Sequence, residues 1–147
     1  MTDILLLNGP NLGILGEREP EIYGHDTLDD IVAMVREEVA AAGWQVIAVQ
    51  DESEAELVRA VHRARHSTVG AIVNPAALMM AGWSLRDALA SYPPPWVEVH
   101  LSNIYAREQF RHESVTAPLA SGFIAGIGAY GYRLAARTLL HLAGADR

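Results

Sequence analysis

The sequence predicts an α/β three-layer sandwich around a five-stranded parallel sheet. Three observations predict it. Short apolar runs alternate with segments of helical period along the chain, and such alternation is the signature of strand–helix–strand units. The apolar runs stop at glycine, proline or asparagine, as buried strands do. The length, 147 residues of which 50% are hydrophobic, suits a single domain over 1–147 with a core of its own.

Each element has its own signal. Residues 3–8 (DILLLN) form an apolar run that ends at Gly9 and Pro10, which reads as a strand buried on both faces. Residues 9–26 carry four glycines, two prolines and several charges, so a long loop is expected, of the kind that often covers a site. Thr27 and Asp30 form a near capping box, with Asp in the place of Glu. The helix they open runs to Gly43, with Leu28, Ile31, Val32, Val35 and Val39 at three-to-four spacing. Residues 44–49 alternate and are β-rich, a second strand. Ser53 and Glu56 suit a capping box for a helix to about His66. Residues 69–73 are a third strand, ending at Asn74 and Pro75. A helix over 84–91 follows, then a fourth strand over 96–100 launched from three prolines, and a fifth near 121–127. The last helix is expected over 129–143, with Leu134, Thr138, Leu139 and Leu142 on one side.

Five strands in this alternation fit the flavodoxin-like order 2-1-3-4-5, and ligands then bind beyond the carboxyl ends of the strands near the switch point. Polar residues stand at three of those ends: Asn8 and Asn11, Asn74, and His100 with Ser102 and Asn103.

Composition narrows the function. The net charge is −7, which argues against nucleic acid or an anionic membrane surface as main partner. No run approaches the roughly 18 apolar residues of a membrane span. The start, MTDILLLNG, lacks the basic and apolar regions of a secretory leader, so the cytoplasm is the expected compartment. There is no cysteine, which removes thiolate nucleophiles and cysteine-held metals. All eleven basic residues are arginine, which removes Schiff-base catalysis by lysine.

Two constellations could carry chemistry. Glu98 and His100 are two apart on a strand and share a face. A carboxylate there can fix the imidazole's tautomer, the orienting half of an acid/base device. A buried pair without chemistry has the same spacing, and the position at the ligand end of the sheet favours function. The loop over 8–24 joins flexible glycines to Asn11, Arg18 and Tyr23. Tyrosine is a weak acid and hence a poor base at neutral pH, but nearby guanidinium groups favour its phenolate. Arg18 is close in sequence and Arg111 could approach from the fourth strand. An ordinary surface tyrosine is the plainer reading of the same residues. His62 and His66 have a metal-ligand spacing, but no third ligand is evident and arginines flank them, so a solvated helix face is expected.

Together these segments resemble the type II 3-dehydroquinate dehydratases (type II dehydroquinases) along nearly the whole chain. The anchors are NGPNL (8–12), LGEREPEIYG (15–24), VNPAA (73–77), LRDAL (85–89), EVHLSNI (98–104), ARE (106–108), FRH (110–112) and GYRL (131–134). The resemblance implies a lyase of the shikimate pathway and aromatic amino acid biosynthesis. It removes water from 3-dehydroquinate through an enolate, giving 3-dehydroshikimate, with no metal or cofactor. It implies that Tyr23 takes the C2 proton, with Arg18 and Arg111 favouring its phenolate. Asn11 then holds a water at the enolate oxygen, and His100, oriented by Glu98, protonates the departing hydroxyl. The backbone amides of Leu101 and Ser102 bind the substrate carboxylate, Asn74 and Arg111 hold ring hydroxyls, and Asp87 reaches a neighbouring subunit's site. Trimers, usually assembled into dodecamers, are implied as well.

Departures from the family pattern bear on substrate choice. Met79 and Met80 stand where the family has Thr-His, which places Met80 at a ring-hydroxyl subsite with only a weak acceptor. Trp83 is bulkier than usual, Asp51, Glu52 and Ser53 replace Ser-Asn-His, and Tyr105 replaces a frequent histidine. Two alternatives follow: a dehydratase for an amino-substituted dehydroquinate in secondary metabolism, or a catalytically idle binding or scaffold protein. Intact Tyr23, Arg18 and His100 count against the second.

Overall fold

A computed structural model describes residues 2–146. Its five strands are β1 (Thr2–Asn8), β2 (Trp44–Gln50), β3 (Ala71–Asn74), β4 (Trp96–His100) and β5 (Gly122–Ala125). All neighbours pair in parallel, in the order β2-β1-β3-β4-β5. The helices are α1 (Pro20–Tyr23), α2 (Leu28–Ala40), α3 (Glu54–Ala64), α4 (Trp83–Ala90) and α5 (Tyr130–Leu142).

The sheet divides the core in two, because successive side chains of a strand point to opposite faces. Ile4 and Leu6 of β1 pack with Ile31 and Val35 of α2 and with Tyr132 and Leu139 of α5. Leu5 and Leu7 pack on the other side with Leu57 and Val61 of α3 and Leu85 and Leu89 of α4. β1 lies inside the sheet between β2 and β3 and is buried on both faces from Ile4 onward, as its unbroken apolar run implies. β2 is an edge strand and half-exposed, which is why its sequence alternates. Residues 69 and 70 precede β3 rather than belong to it.

The caps explain where the helices begin. Thr27 accepts from the Asp30 N–H at 3.2 Å and donates its own N–H to the Asp30 carboxylate at 2.9 Å, so the Asp variant of the capping box is complete. At α3 the box is divided. Ser53 Oγ accepts from the Glu56 N–H, but the Ser53 N–H donates to Asp51 Oδ1 at 2.8 Å. Glu56 is instead drawn to Arg59 at 2.6 Å.

Two expectations need correction. The final helix buries Tyr132, Ala135, Ala136, Leu139 and Leu140, while Leu134 and Thr138 are half-buried and Leu142 is exposed. The chain offers two adjacent stripes, and the one with small alanines lies closest to the sheet. Gly131 belongs to that stripe: a Cβ there would come within 3.2 Å of Ile124 and 3.4 Å of Val99. Second, no α-helix joins β4 to β5. That crossover is three 3₁₀ turns, Ile104–Ala106, Gln109–Arg111 and Ala117–Leu119. Its residues serve a cavity above the sheet instead. The long loop after β1 is likewise not formless, for it holds a 3₁₀ turn (Leu12–Ile14) and α1.

Candidate active site

The cavity lies where the topology predicts it, above the carboxyl ends of β1, β3 and β4. One wall comes from the loop after β1, with Pro10, Asn11, Leu12, Arg18 and Tyr23. The loop can lie there because Gly9 has no side chain: a Cβ would stand 2.5 Å from the Pro75 carbonyl oxygen, closer than any contact allows. Asn11 adopts a left-handed φ of 70°, which asparagine tolerates better than most residues. Its N–H donates to Glu52 Oε2 at 2.9 Å, and Gln50 Nε2 donates to Glu52 Oε1 at 2.9 Å and to the Gly9 carbonyl at 3.2 Å. Glu52, one of the departures from the family pattern, therefore secures the turn that presents Asn11.

The opposite wall comes from the end of β4 and the crossover. His100 is buried, at 5% exposure. Its Nε2 lies 2.8 Å from Glu98 Oε2. A carboxylate only accepts, so Nε2 carries the proton and Nδ1 is the nitrogen left for the cavity. Glu98 is wholly buried. It also accepts from Ser114 Oγ at 2.7 Å and from Thr116 Oγ1. Leu101 and Ser102 follow, and neither N–H takes part in the loop's backbone hydrogen bonds.

The floor is a buried polar staple. Tyr132 donates to Asn8 Oδ1 at 2.7 Å and accepts from Asn74 Nδ2 at 2.8 Å. Burial pushes the Tyr132 phenol well above its ordinary range, so it keeps its hydrogen. Asn74 Oδ1 accepts from the Ala76 N–H at 3.0 Å, which holds Ala76 at φ 53°. Both polar atoms of the Asn74 amide are thus bonded, and its side chain is fixed at the cavity edge.

Two guanidinium groups attend Tyr23. Arg18 Cζ lies 4.5 Å from the ring centroid and Arg107 Cζ 5.3 Å, within cation–π range. Arg107 also donates to the Tyr23 oxygen at 3.0 Å. Its carbonyl is bonded to His112 Nε2 at 3.0 Å, which fixes the backbone from which it reaches.

Residues 2–140 match the family model described as Dehydroquinase class II. The chain belongs to the class II dehydroquinase family. It is 50% identical over 139 residues to the 3-dehydroquinate dehydratase of Corynebacterium glutamicum (strain R), covering 95% of this chain and 96% of that one. To the 3-dehydroquinate dehydratase of Bacillus subtilis (strain 168) it is 47% identical over 146 residues, 99% of each. The crystal structure of the type II dehydroquinase from Propionibacterium acnes superposes with a TM-score of 0.91 at 43% identity, over 96% of this chain and 97% of that one.

Within this dehydroquinase fold, most of the residues singled out in the sequence stand together. Asn11, Arg18, Tyr23, Asn74, His100, Leu101, Ser102 and Arg111 line one cavity, with Glu98 directly behind His100. Two placements differ. Arg111 lines the cavity, but its Nε donates to Glu108 at 2.8 Å, and the arginine bonded to Tyr23 is Arg107. Met79, not Met80, lines the cavity. Ala76–Met80 is a 3₁₀ turn whose Ala76, Ala77 and Met79 line the cavity, while Met80 stands outside that lining. Asp87 is exposed on α4, near Arg86 at 4.0 Å, and lies outside this chain's own cavity. His62 and His66 are exposed, and His66 lies beyond the end of α3.

Sequence reasoning missed Arg107, Glu52, Ser114 and Thr116 as members of the site. Arg107 had a signal, a basic residue between the strand-4 end and Arg111. The other three had none, since their roles exist only once distant segments meet.

Proposed function

We propose that this chain is a 3-dehydroquinate dehydratase, eliminating water from 3-dehydroquinate to give 3-dehydroshikimate. The observation that carries the reading is that Tyr23, with two guanidinium groups beside it, and His100, backed by Glu98, line the same cavity. Relatives of that name at about half identity support it.

Tyr23, as phenolate, takes the C2 proton. Arg107, by its hydrogen bond, and Arg18, over the ring, stabilise the negative oxygen. The electron pair passes into an enolate, whose oxygen is stabilised by a water held at Asn11. The enolate then expels the hydroxyl, and His100 supplies the proton that makes it water. Glu98 takes no proton; it holds the ring by its Nε2–H, and the proton transferred is the Nδ1 proton of the doubly protonated ring. The N–H groups of Leu101 and Ser102 bind the substrate carboxylate, and Asn74 and Arg111 hold ring hydroxyls. Asp87, exposed on α4, serves a neighbouring subunit in a trimer-based assembly, a dodecamer as in the family. No metal or cofactor enters this scheme. The place of action is the cytoplasm; no helix among the described residues is long and apolar enough to cross a membrane.

Neither alternative is favoured. Met80, the residue that raised the amino-substituted substrate, does not line the cavity, and an idle protein has no use for the Tyr23 and His100 arrangements. The test is competition: 3-dehydroquinate and its amino analogue are offered side by side, and kcat/KM is measured for each. Preference for 3-dehydroquinate is expected. Preference for the amino analogue would overturn the substrate assignment.

A further inference from the structure

Behind His100 lies a hydroxyl pair, Thr116 buried and Ser114 half-buried, that the scheme above does not use. Glu98 and Thr116 have no exposed surface, yet the carboxylate is met by donors on both oxygens. Thr116 Oγ1 donates to Oε1; Ser114 Oγ, at 2.7 Å, and His100 Nε2, at 2.8 Å, donate to Oε2. Ser114 Oγ in turn accepts the Ala117 N–H at 3.0 Å, which orients its hydrogen away from its own turn. Between the two hydroxyls, the Val115 N–H donates to the Met79 carbonyl at 2.7 Å. The segment 114–116 is therefore tied at once to the cavity wall and to the carboxylate.

We propose that Thr116 and Ser114 are positioning residues for His100, acting through Glu98. The inference rests on the reaction proposed above. A glutamate side chain can turn about its last bond, and each orientation offers His100 a different oxygen and angle. Thr116 holds Oε1 and Ser114 holds Oε2, so the carboxylate plane is fixed. One lone pair then faces Nε2, the ring keeps its Nε2–H, and Nδ1 stays toward the cavity. Partners behind a functional histidine fix its tautomer and ring orientation in this way. Both hydroxyl hydrogens and the Nε2 hydrogen point at the carboxylate, so no proton leaves through this cluster. The proton delivered to the departing hydroxyl comes from Nδ1.

The experiment compares wild type, Thr116→Val, Thr116→Ser and Ser114→Ala by steady-state kinetics on 3-dehydroquinate and by ¹⁵N-histidine NMR. Thr116→Val keeps the shape and removes the hydroxyl. Its kcat should fall about tenfold or more, the rate equivalent of one hydrogen bond to a charged group, with KM changed less than about threefold. Thr116→Ser should restore kcat to within about twofold of wild type. The His100 signals should report an Nε2–H ring in wild type and in Thr116→Ser, and a mixture of tautomers in Thr116→Val. Should Thr116→Val fail to fold, Ser114→Ala carries the test with a several-fold fall in kcat. Wild-type kcat in the folded hydroxyl-deleted variant, or equal losses in Thr116→Val and Thr116→Ser, would overturn the proposal. A wild-type protein inert toward 3-dehydroquinate would instead overturn the proposed function. The NMR comparison would then still decide whether the hydroxyls set the His100 tautomer.

Discussion

His100 and Glu98 form the pair whose separate contributions are most open to measurement. His100→Ala deletes the proton donor and should lower kcat at least 10²-fold, the lower end for general acid catalysis. Glu98→Gln keeps a polar group of the same shape and leaves an imidazole that can still donate, so its loss should be smaller. Steady-state kinetics of the two variants check the order; a larger loss in Glu98→Gln would reverse the roles. This pair was legible in the sequence because strand geometry puts residues i and i+2 on one face. Arg107 was less so. It sits in a crossover without periodicity, where nothing local says which of two arginines will reach Tyr23. Met79 and Met80 show the same limit at finer grain. Which of two adjacent residues faces the cavity depends on how the chain after Asn74 is wound, and the sequence carries no signal for that.

The elements that hold the site were largely readable, and the errors have physical causes. β4 ends at His100 as expected, because three prolines and an apolar run bound it on one side and polar residues on the other. The stripe expected for α5 holds only at Leu139, because the buried alanines are small and carry little hydrophobic signal. The correct stripe carries Tyr132, which staples α5 to the ends of β1 and β3 through Asn8 and Asn74. Tyr132→Phe would leave two buried amide groups unpaired and should cost roughly 2–4 kcal/mol. Urea unfolding measures that loss, and kcat/KM should fall with it as Asn74 is released.

α5 is also clamped to α2. Glu38 accepts from Arg137 and Arg133, each at 2.6 Å, and chiefly the Arg137 bond holds its carboxyl below the ordinary value of 4.5. A lowered carboxyl stabilises the folded state above the unfolded value and loses that contribution as pH falls through the folded one. Glu38→Gln should therefore melt below wild type at pH 7. The gap should begin to shrink as pH falls through 4.5 and close once pH lies below the lowered folded value, as thermal melts over a descending pH series would show.

At the scale of the whole molecule, charge and assembly are the features to weigh. The chain carries a net charge of −7, yet Arg18, Arg107 and Arg111 gather at one cavity. A local positive field in an acidic protein draws in a carboxylate substrate without inviting polyanions. In the proposed trimer-based assembly the exposed Asp87 side chain would approach another copy. Light scattering should find a trimer or a multiple of three, with a dodecamer near twelve times 16.0 kDa. A fully active monomer at micromolar concentration would refute that reading.

The central claim is that this cavity dehydrates 3-dehydroquinate with Tyr23 as the base. The most direct measurement is turnover of 3-dehydroquinate by wild type and Tyr23→Phe, followed through the ultraviolet absorbance of the enone product. The variant removes one loop hydroxyl, so its stability should shift by less than about 0.5 kcal/mol and the substrate should still bind. The account predicts steady enone formation by wild type and none above background by Tyr23→Phe. Absence of enone with wild type, or equal rates from the two proteins, would contradict it.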